Sequence, residues 1–154
     1  MSEERRMPCV EFDSDRLDPR LRLEVSGQVE AISPAVDEVL GVIDRMGCAA
    51  GKEFEVETSV REALANAIRH GCRRDPEKKV QVCVACDDTR GMLIVVRDPG
   101  PGFDVESIPS PVEGENLFSQ GGRGIFLINQ LMDEVEFDRG GAVVRMRKAP
   151  KRPA

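Results

Sequence analysis

Hydrophobic and polar residues alternate with two distinct periods along this chain, and the switches between them outline its elements. Leu21, Leu23 and Val25 alternate with Arg22, Glu24 and Ser26 before Gly27, the pattern of a strand with one buried face. Ser33 and Pro34 then offer an N-cap and a first-turn proline, followed by Val36, Val39, Leu40, Ile43 and Met46 at helical spacing and by Gly47 as a stop. A second helix is predicted from about Phe54 to His70, with Val56, Val60, Ala63, Leu64 and Ala67 as its apolar stripe and Gly71 ending it. Strands are predicted at Val80 to Cys86 and Met92 to Arg97, joined by the turn-rich stretch Asp87 to Gly91. Nothing is periodic from Phe103 to Gln120, and since a loop of about this length is rare in a compact domain it reads as a functional lid, a disordered stretch or a misassigned element, of which the lid is favoured. A third helix carries Ile125, Leu127, Ile128, Leu131 and Met132, and a last hairpin pairs Val135 to Phe137 with Ala142 to Arg147.

Helices alternate with hairpins, so the expected fold is α+β. It is a two-layer sandwich whose mixed, mostly antiparallel sheet carries about three helices on one face. Residues 1–18 are polar and aperiodic and are expected to form a mobile arm; 19–148 form the domain, with the lid at about 103–120, and 149–154 a basic tail.

Composition narrows the function. With 154 residues, 40% hydrophobic and 32% charged, the chain is suited to one soluble domain, and no apolar run approaches the ~20 residues needed to cross a bilayer. Neither a signal peptide nor an anchor is visible, so the expectation is cytoplasmic. Residues 1–138 hold 16 basic and 28 acidic groups, and there is no Trp or Tyr. Such a body repels polyanions and lacks stacking platforms, which argues against direct nucleic-acid contact. An anionic ligand must be met by backbone N–H groups or a metal ion. Five cysteines, Cys9, Cys48, Cys72, Cys83 and Cys86, an odd number without an export signal, argue for reduced thiols. Cys83 and Cys86 form a C-x-x-C in a predicted strand, where positions three apart face opposite ways, so ordinary core residues are expected there.

Three places carry candidate chemistry. Glu62 and Asn66, one turn apart on the second helix, flank its apolar stripe and stand about 40° apart around the axis. A carboxylate beside an amide oxygen suits a hard cation with its water shell, the carboxylate deprotonating a water or hydroxyl and the amide ligating magnesium. The same pair also suits a solvated helix shoulder. Asp98 ends an apolar strand in Asp98-Pro99-Gly100-Pro101-Gly102, where the glycines permit close approach of a flat ligand and the carboxylate can accept from an exocyclic amine such as that of adenine. A plain turn explains it too. Gly121-Gly122-Arg123-Gly124 opens the third helix, exposing backbone N–H groups to an anion, or serving as a hinge. The only histidine, His70, sits at a helix C-terminus, where a capping or dipole role is expected.

Taken in order, Glu-x-x-x-Asn on a helix, Asp-x-Gly-x-Gly after a strand, a lid and Gly-x-Gly opening a helix resemble the asparagine box and glycine boxes of the GHKL (Bergerat-fold) ATPases. The resemblance runs from about Ser33 to Arg147. Three stretches are similar to one branch, the RsbW-like anti-sigma factor serine-protein kinases: Glu62 to Gly71, Gly122 to Ile128, and Met132 to Val135. Phe126 stands where many superfamily members carry a third glycine.

The resemblance implies an ATP- and Mg2+-dependent serine-protein kinase that sequesters a sigma factor and phosphorylates an anti-anti-sigma protein of the STAS type. Glu62 would be the general base and Asn66 the magnesium ligand. Asp98 would bind adenine, with Gly100 and Gly102 lining the base pocket and Gly122, Arg123 and Gly124 at the phosphates. A homodimer is compatible with it. The alternatives are a non-catalytic ATP-binding module and an ATP hydrolase.

Overall fold

The computed structural model describes residues 19–47, 51–87, 91–100, 127–138 and 142–149. Five strands, β1 (Pro19–Ser26), β2 (Lys79–Asp87), β3 (Gly91–Arg97), β4 (Glu134–Asp138) and β5 (Val143–Lys148), form one sheet in the order β1-β2-β3-β5-β4. Every pairing is antiparallel, so the sheet is the antiparallel form of the one expected. Helices α1 (Ile32–Met46) and α2 (Glu53–Asn66), with the helical residues 127–131, complete the α+β architecture. None of the described helices is long and apolar enough to cross a membrane.

The inner face of the sheet is made by the alternate positions that the sequence marks as apolar. Val80, Val82, Val84 and Cys86 of β2 and Met92, Ile94 and Val96 of β3 pack with Val36, Val39 and Ile43 of α1 and Val56, Val60 and Leu64 of α2. Their burial is nearly complete, and it is this apolar area that holds the helices on the sheet. Gly91 closes the β2–β3 hairpin at φ 90°, a conformation that costs other residues strain.

Two local expectations are corrected. Ser33 does not cap α1. The helix begins one residue earlier, after a 3-10 turn over Val29–Ala31, and the Ser33 hydroxyl instead accepts from Arg61 Nη1 of α2 at 3.1 Å, tying the two helices. Its end is as expected, with Gly47 left-handed at φ 74° and its N–H on the Ile43 and Asp44 carbonyls. The second correction concerns the cysteines. Cys72 is a free thiol, but Cys83 and Cys86 are each disulfide-bonded, against the expectation of reduced thiols. They lie on opposite faces of β2, Cys86 in the inner core and Cys83 in a separate outer cluster with Ala85, Leu93, Val95 and Val143.

Leu64, fully buried where α2 meets the core, is the side chain whose loss should be felt most. Leu64→Ala is expected to lower unfolding stability by about 2–5 kcal/mol in urea denaturation. A loss under about 1 kcal/mol would mean that α2 is not held by this packing.

Candidate functional site

The site is organised by the end of α2. Its apolar residues face the sheet, which leaves Glu62 half-buried on one flank and Asn66 nearly covered one turn on. Arg61 is occupied elsewhere, on Glu57 at 3.2 Å and on Ser33, and Glu62 has no hydrogen-bond or ion-pair partner among the described residues. Arg69 Nη1 donates to Asn66 Oδ1 over a long 3.4 Å. The helix does not stop at Asn66. It widens into a π turn over Ala67–Gly71, the kind of irregularity that recurs at functional sites.

That turn is closed in an unusual way. Cys72 N–H donates to Ala67 O and Arg74 N–H to Ile68 O, both at 2.9 Å. Arg73 and Arg74 are both left-handed, at φ 54° and 60°. Side chains pay about 1–2 kcal/mol each in that region, so the surrounding contacts must hold them there. The reason lies beside them. Asp75 O fits against Gly27, where an added Cβ would strike it, so the chain is forced back onto the end of β1.

This return brings Gly71 against the end of β3. Asp98 leaves the strand with its N–H on Ala142 O at 2.9 Å, and its Oδ1 accepts from the Gly100 N–H at 2.8 Å. A Cβ on Gly71 would collide with the Asp98 carboxyl, and a Cβ on Gly100 would fall 2.7 Å from Gly71 Cα. Two glycine backbones and one carboxylate therefore occupy a space with no room for any other side chain. Burial pushes the Asp98 pKa up to about 6, only partly opposed by the Gly100 N–H. Burial also raises the neighbouring Cys72 thiol, with the Asp98 charge adding to it. At His70, partial burial and then Arg69 and Arg74 lower the pKa. The neutral ring is thus favoured.

Of the residues singled out from sequence, Glu62, Asn66, Asp98 and Gly100 are thus located on two adjoining elements. Gly71 joins Asn66 and Asp98 and had been read only as a helix stop; its signal was a second glycine opposite Gly100, invisible without the fold. Among the described residues no group of three or more His, Cys, Asp or Glu could hold a metal. Gly102, Gly122, Arg123, Gly124, Phe126 and the lid at 103–120 lie outside the described residues.

A helix layer on an antiparallel sheet, with an acid–amide flank beside an Asp-Gly strand exit, defines a class. Residues 25–148 match the family model described as histidine kinase-like ATPase domain, and the chain belongs to that family. It is 29% identical over 140 residues to the serine-protein kinase RsbW of Staphylococcus epidermidis, covering 86% of this chain and 87% of that protein. It is 27% identical to the RsbW of Bacillus subtilis, over 83% and 84% of the two chains. To the anti-sigma F factor of Heyndrickxia coagulans it is 30% identical, over 82% and 80%.

The raised Asp98 pKa has a direct consequence for the unliganded protein. Because the folded value of about 6 lies above the ordinary 3.8, the protonated carboxyl stabilises the fold at low pH and that contribution is lost as pH rises through 6. Asp98→Asn keeps an acceptor for Gly100 and removes the buried charge. Thermal unfolding without nucleotide should therefore show the variant more stable than wild type at pH 7.5, with the difference closing towards pH 4. A variant less stable at pH 7.5 would contradict this reading of the site.

Proposed function

We propose that the chain is an ATP-dependent serine-protein kinase that acts as an anti-sigma factor. In this reading it sequesters a sigma factor and phosphorylates an anti-anti-sigma protein of the STAS type. The observation that carries the nucleotide part is the Asp98 carboxyl held between Gly71 and Gly100. A carboxylate fixed at a strand exit against two glycine backbones presents an acceptor and a flat floor to a purine with an exocyclic amine. Asp98 accepts from the adenine amine, and Gly100 and Gly102 line the base pocket.

The phosphates then extend along the flank of α2. At about 1.5 Å of rise per residue, Asn66 stands roughly 7 Å and Glu62 roughly 13 Å along the helix from Gly71. This separation puts base recognition at one end and the transfer chemistry at the other. The Asn66 amide oxygen is a hard donor, and a single protein donor suits a magnesium ion that would keep most of its ligands as phosphate and water. Bound there, the ion would neutralise charge on the phosphates. Asn66 would hold the ion, and Glu62, without a partner among the described residues, accepts the proton of a serine hydroxyl. Gly122, Arg123 and Gly124 present backbone N–H groups and a guanidinium to the phosphates.

The partners are proposed from the relatives, whose names are serine-protein kinase RsbW and anti-sigma F factor. The acidic body of residues 1–138 suits a basic partner surface and leaves no broad field for DNA. A cytoplasmic location and a homodimer are part of the same reading. The competing reading, a module that binds ATP without transferring phosphate, makes no use of a base at Glu62.

Glu62→Gln separates the two. Affinity for ATP by calorimetric titration should change less than about threefold, while transfer to a protein serine falls by at least about 10²-fold. Transfer that survives the substitution would remove Glu62 from the role of base. Phosphate release with no protein acceptor would favour a hydrolase.

A further inference from the structure

The turn that follows α2 is opposite in charge to the body that carries it. Between residues 69 and 79 stand Arg69, Arg73, Arg74, Lys78 and Lys79 against Asp75 and Glu77, whereas residues 1–138 as a whole hold 16 basic and 28 acidic groups. Arg73, Arg74, Lys78 and Lys79 are exposed, and their side chains have no hydrogen-bond or ion-pair partner among the described residues. Of the two acids, Asp75 is engaged within the turn, where its Oδ1 accepts from the Glu77 N–H at 2.9 Å. The cations gather around one point: after burial, it is Arg69 and Arg74 that lower the pKa of His70.

The backbone conformation sets the two arginines apart from ordinary surface residues. Arg73 and Arg74 are left-handed, at φ 54° and 60°, a region that glycine occupies freely and asparagine more readily than arginine. Residues held in this region persist where their surroundings over-determine them, and they cluster at functional sites. Uncharged residues would meet the needs of the turn at lower cost, so what the arginines add is their guanidinium groups. The turn that presents them is well fixed. Asp75 N–H donates to Cys72 O and Lys78 N–H to Asp75 O, both at 3.0 Å, and Gly27 N–H donates to Lys78 O at 2.9 Å. The Ser26 hydroxyl donates to Pro76 O at 3.2 Å, so the end of β1 holds the turn from the other side. A ligand would meet these cations on a prearranged platform, without the cost of ordering a loop.

The position and surroundings of the patch select its ligand. It follows Gly71, at the end of the helix remote from Glu62, whereas the proposed path of the nucleotide phosphates runs from Gly71 towards Glu62. A long polyanion would run from the patch onto the acidic body and be repelled there. A short run of carboxylates would not, and guanidinium groups match carboxylates in charge and in fork geometry. We propose that Arg73, Arg74, Lys78 and Lys79 form a docking surface for an acidic segment of a protein partner. The acidic body is left for a partner with a basic surface, so two partners can be told apart by the sign of the surface they meet. On the kinase reading the acidic segment belongs to the phosphoacceptor protein; that assignment rests on the kinase reading, and the surface itself does not.

Fluorescence anisotropy of the full chain with a labelled octaglutamate peptide, in low salt and without nucleotide, tests the surface. The peptide should bind wild type, and the affinity should fall by at least about tenfold in Arg73→Asn/Arg74→Asn, which removes two charged donors. Asparagine is at ease in the left-handed turn, so the thermal midpoint of this variant should be no lower than that of wild type. Lys78→Gln/Lys79→Gln, which leaves the left-handed residues in place, should weaken binding several-fold. No binding by wild type, or unchanged affinity in both variants, overturns the docking surface. Tighter binding of a single-stranded oligonucleotide of the same net charge overturns the choice of an acidic peptide. Wild type that sediments as a dimer, with Arg73→Asn/Arg74→Asn a monomer, overturns it as well, by assigning the patch to the acidic body of a second copy. Neither ATP nor transfer enters these measurements, so their failure is distinct from a failure of the Glu62 test.

Discussion

The arrangement depends on one close approach, the contact of the Gly71 backbone with the Asp98 carboxyl and with Gly100. It joins the end of the helix layer to the exit of the central strand β3, and nothing larger than a hydrogen fits at either glycine. Much that is irregular around it follows. The π turn delivers Gly71 to the sheet, two left-handed arginines reverse the chain, and Gly27 makes room for the returning Asp75 carbonyl. The same contact buries Asp98 and raises its pKa towards 6. Ionisation of this carboxyl is thereby disfavoured, at the expense of stability as pH rises through 6.

Regular elements were legible because burial imposes regular periods. The 3.6-residue stripe of α2 and the alternation in β1, β2 and β3 follow from which face meets the core, and the strand and helix limits fall within a few residues of those expected. Ser33 misled because a serine before a proline satisfies the local rule for a cap, while Arg61, far along the chain, supplies a competing partner for its hydroxyl. The site was legible in part. Glu62 with Asn66 is a helical spacing and Asp98-x-Gly100 a strand exit, both local patterns. Gly71 and the left-handed arginines act only through contacts between elements, which no local pattern records.

The outer face of the sheet was the least legible. Leu93, Val95 and Met92, Ile94 form a continuous apolar run in β3, and such a run signals a strand buried on both sides. The alternation of β1 is by contrast that of a one-sided sheet, so the burial of the outer face of β3 was not expected. In this account the fold has two chemically distinct faces. The inner one packs against α1 and α2, and the outer one carries the separate cluster of Cys83, Ala85, Leu93, Val95 and Val143.

The central claim is that Asp98 recognises a purine through its exocyclic amine. It is tested most directly by calorimetric titration of the wild-type chain with ATP and with the 6-oxo analogue ITP, from pH 5 to pH 8. ATP should bind more tightly than ITP above pH 6, by at least about tenfold for a lost hydrogen bond to a charged group, and the preference should fade as Asp98 becomes protonated below pH 6. Equal affinity for the two nucleotides at pH 8, or no binding of ATP at all, would contradict the account.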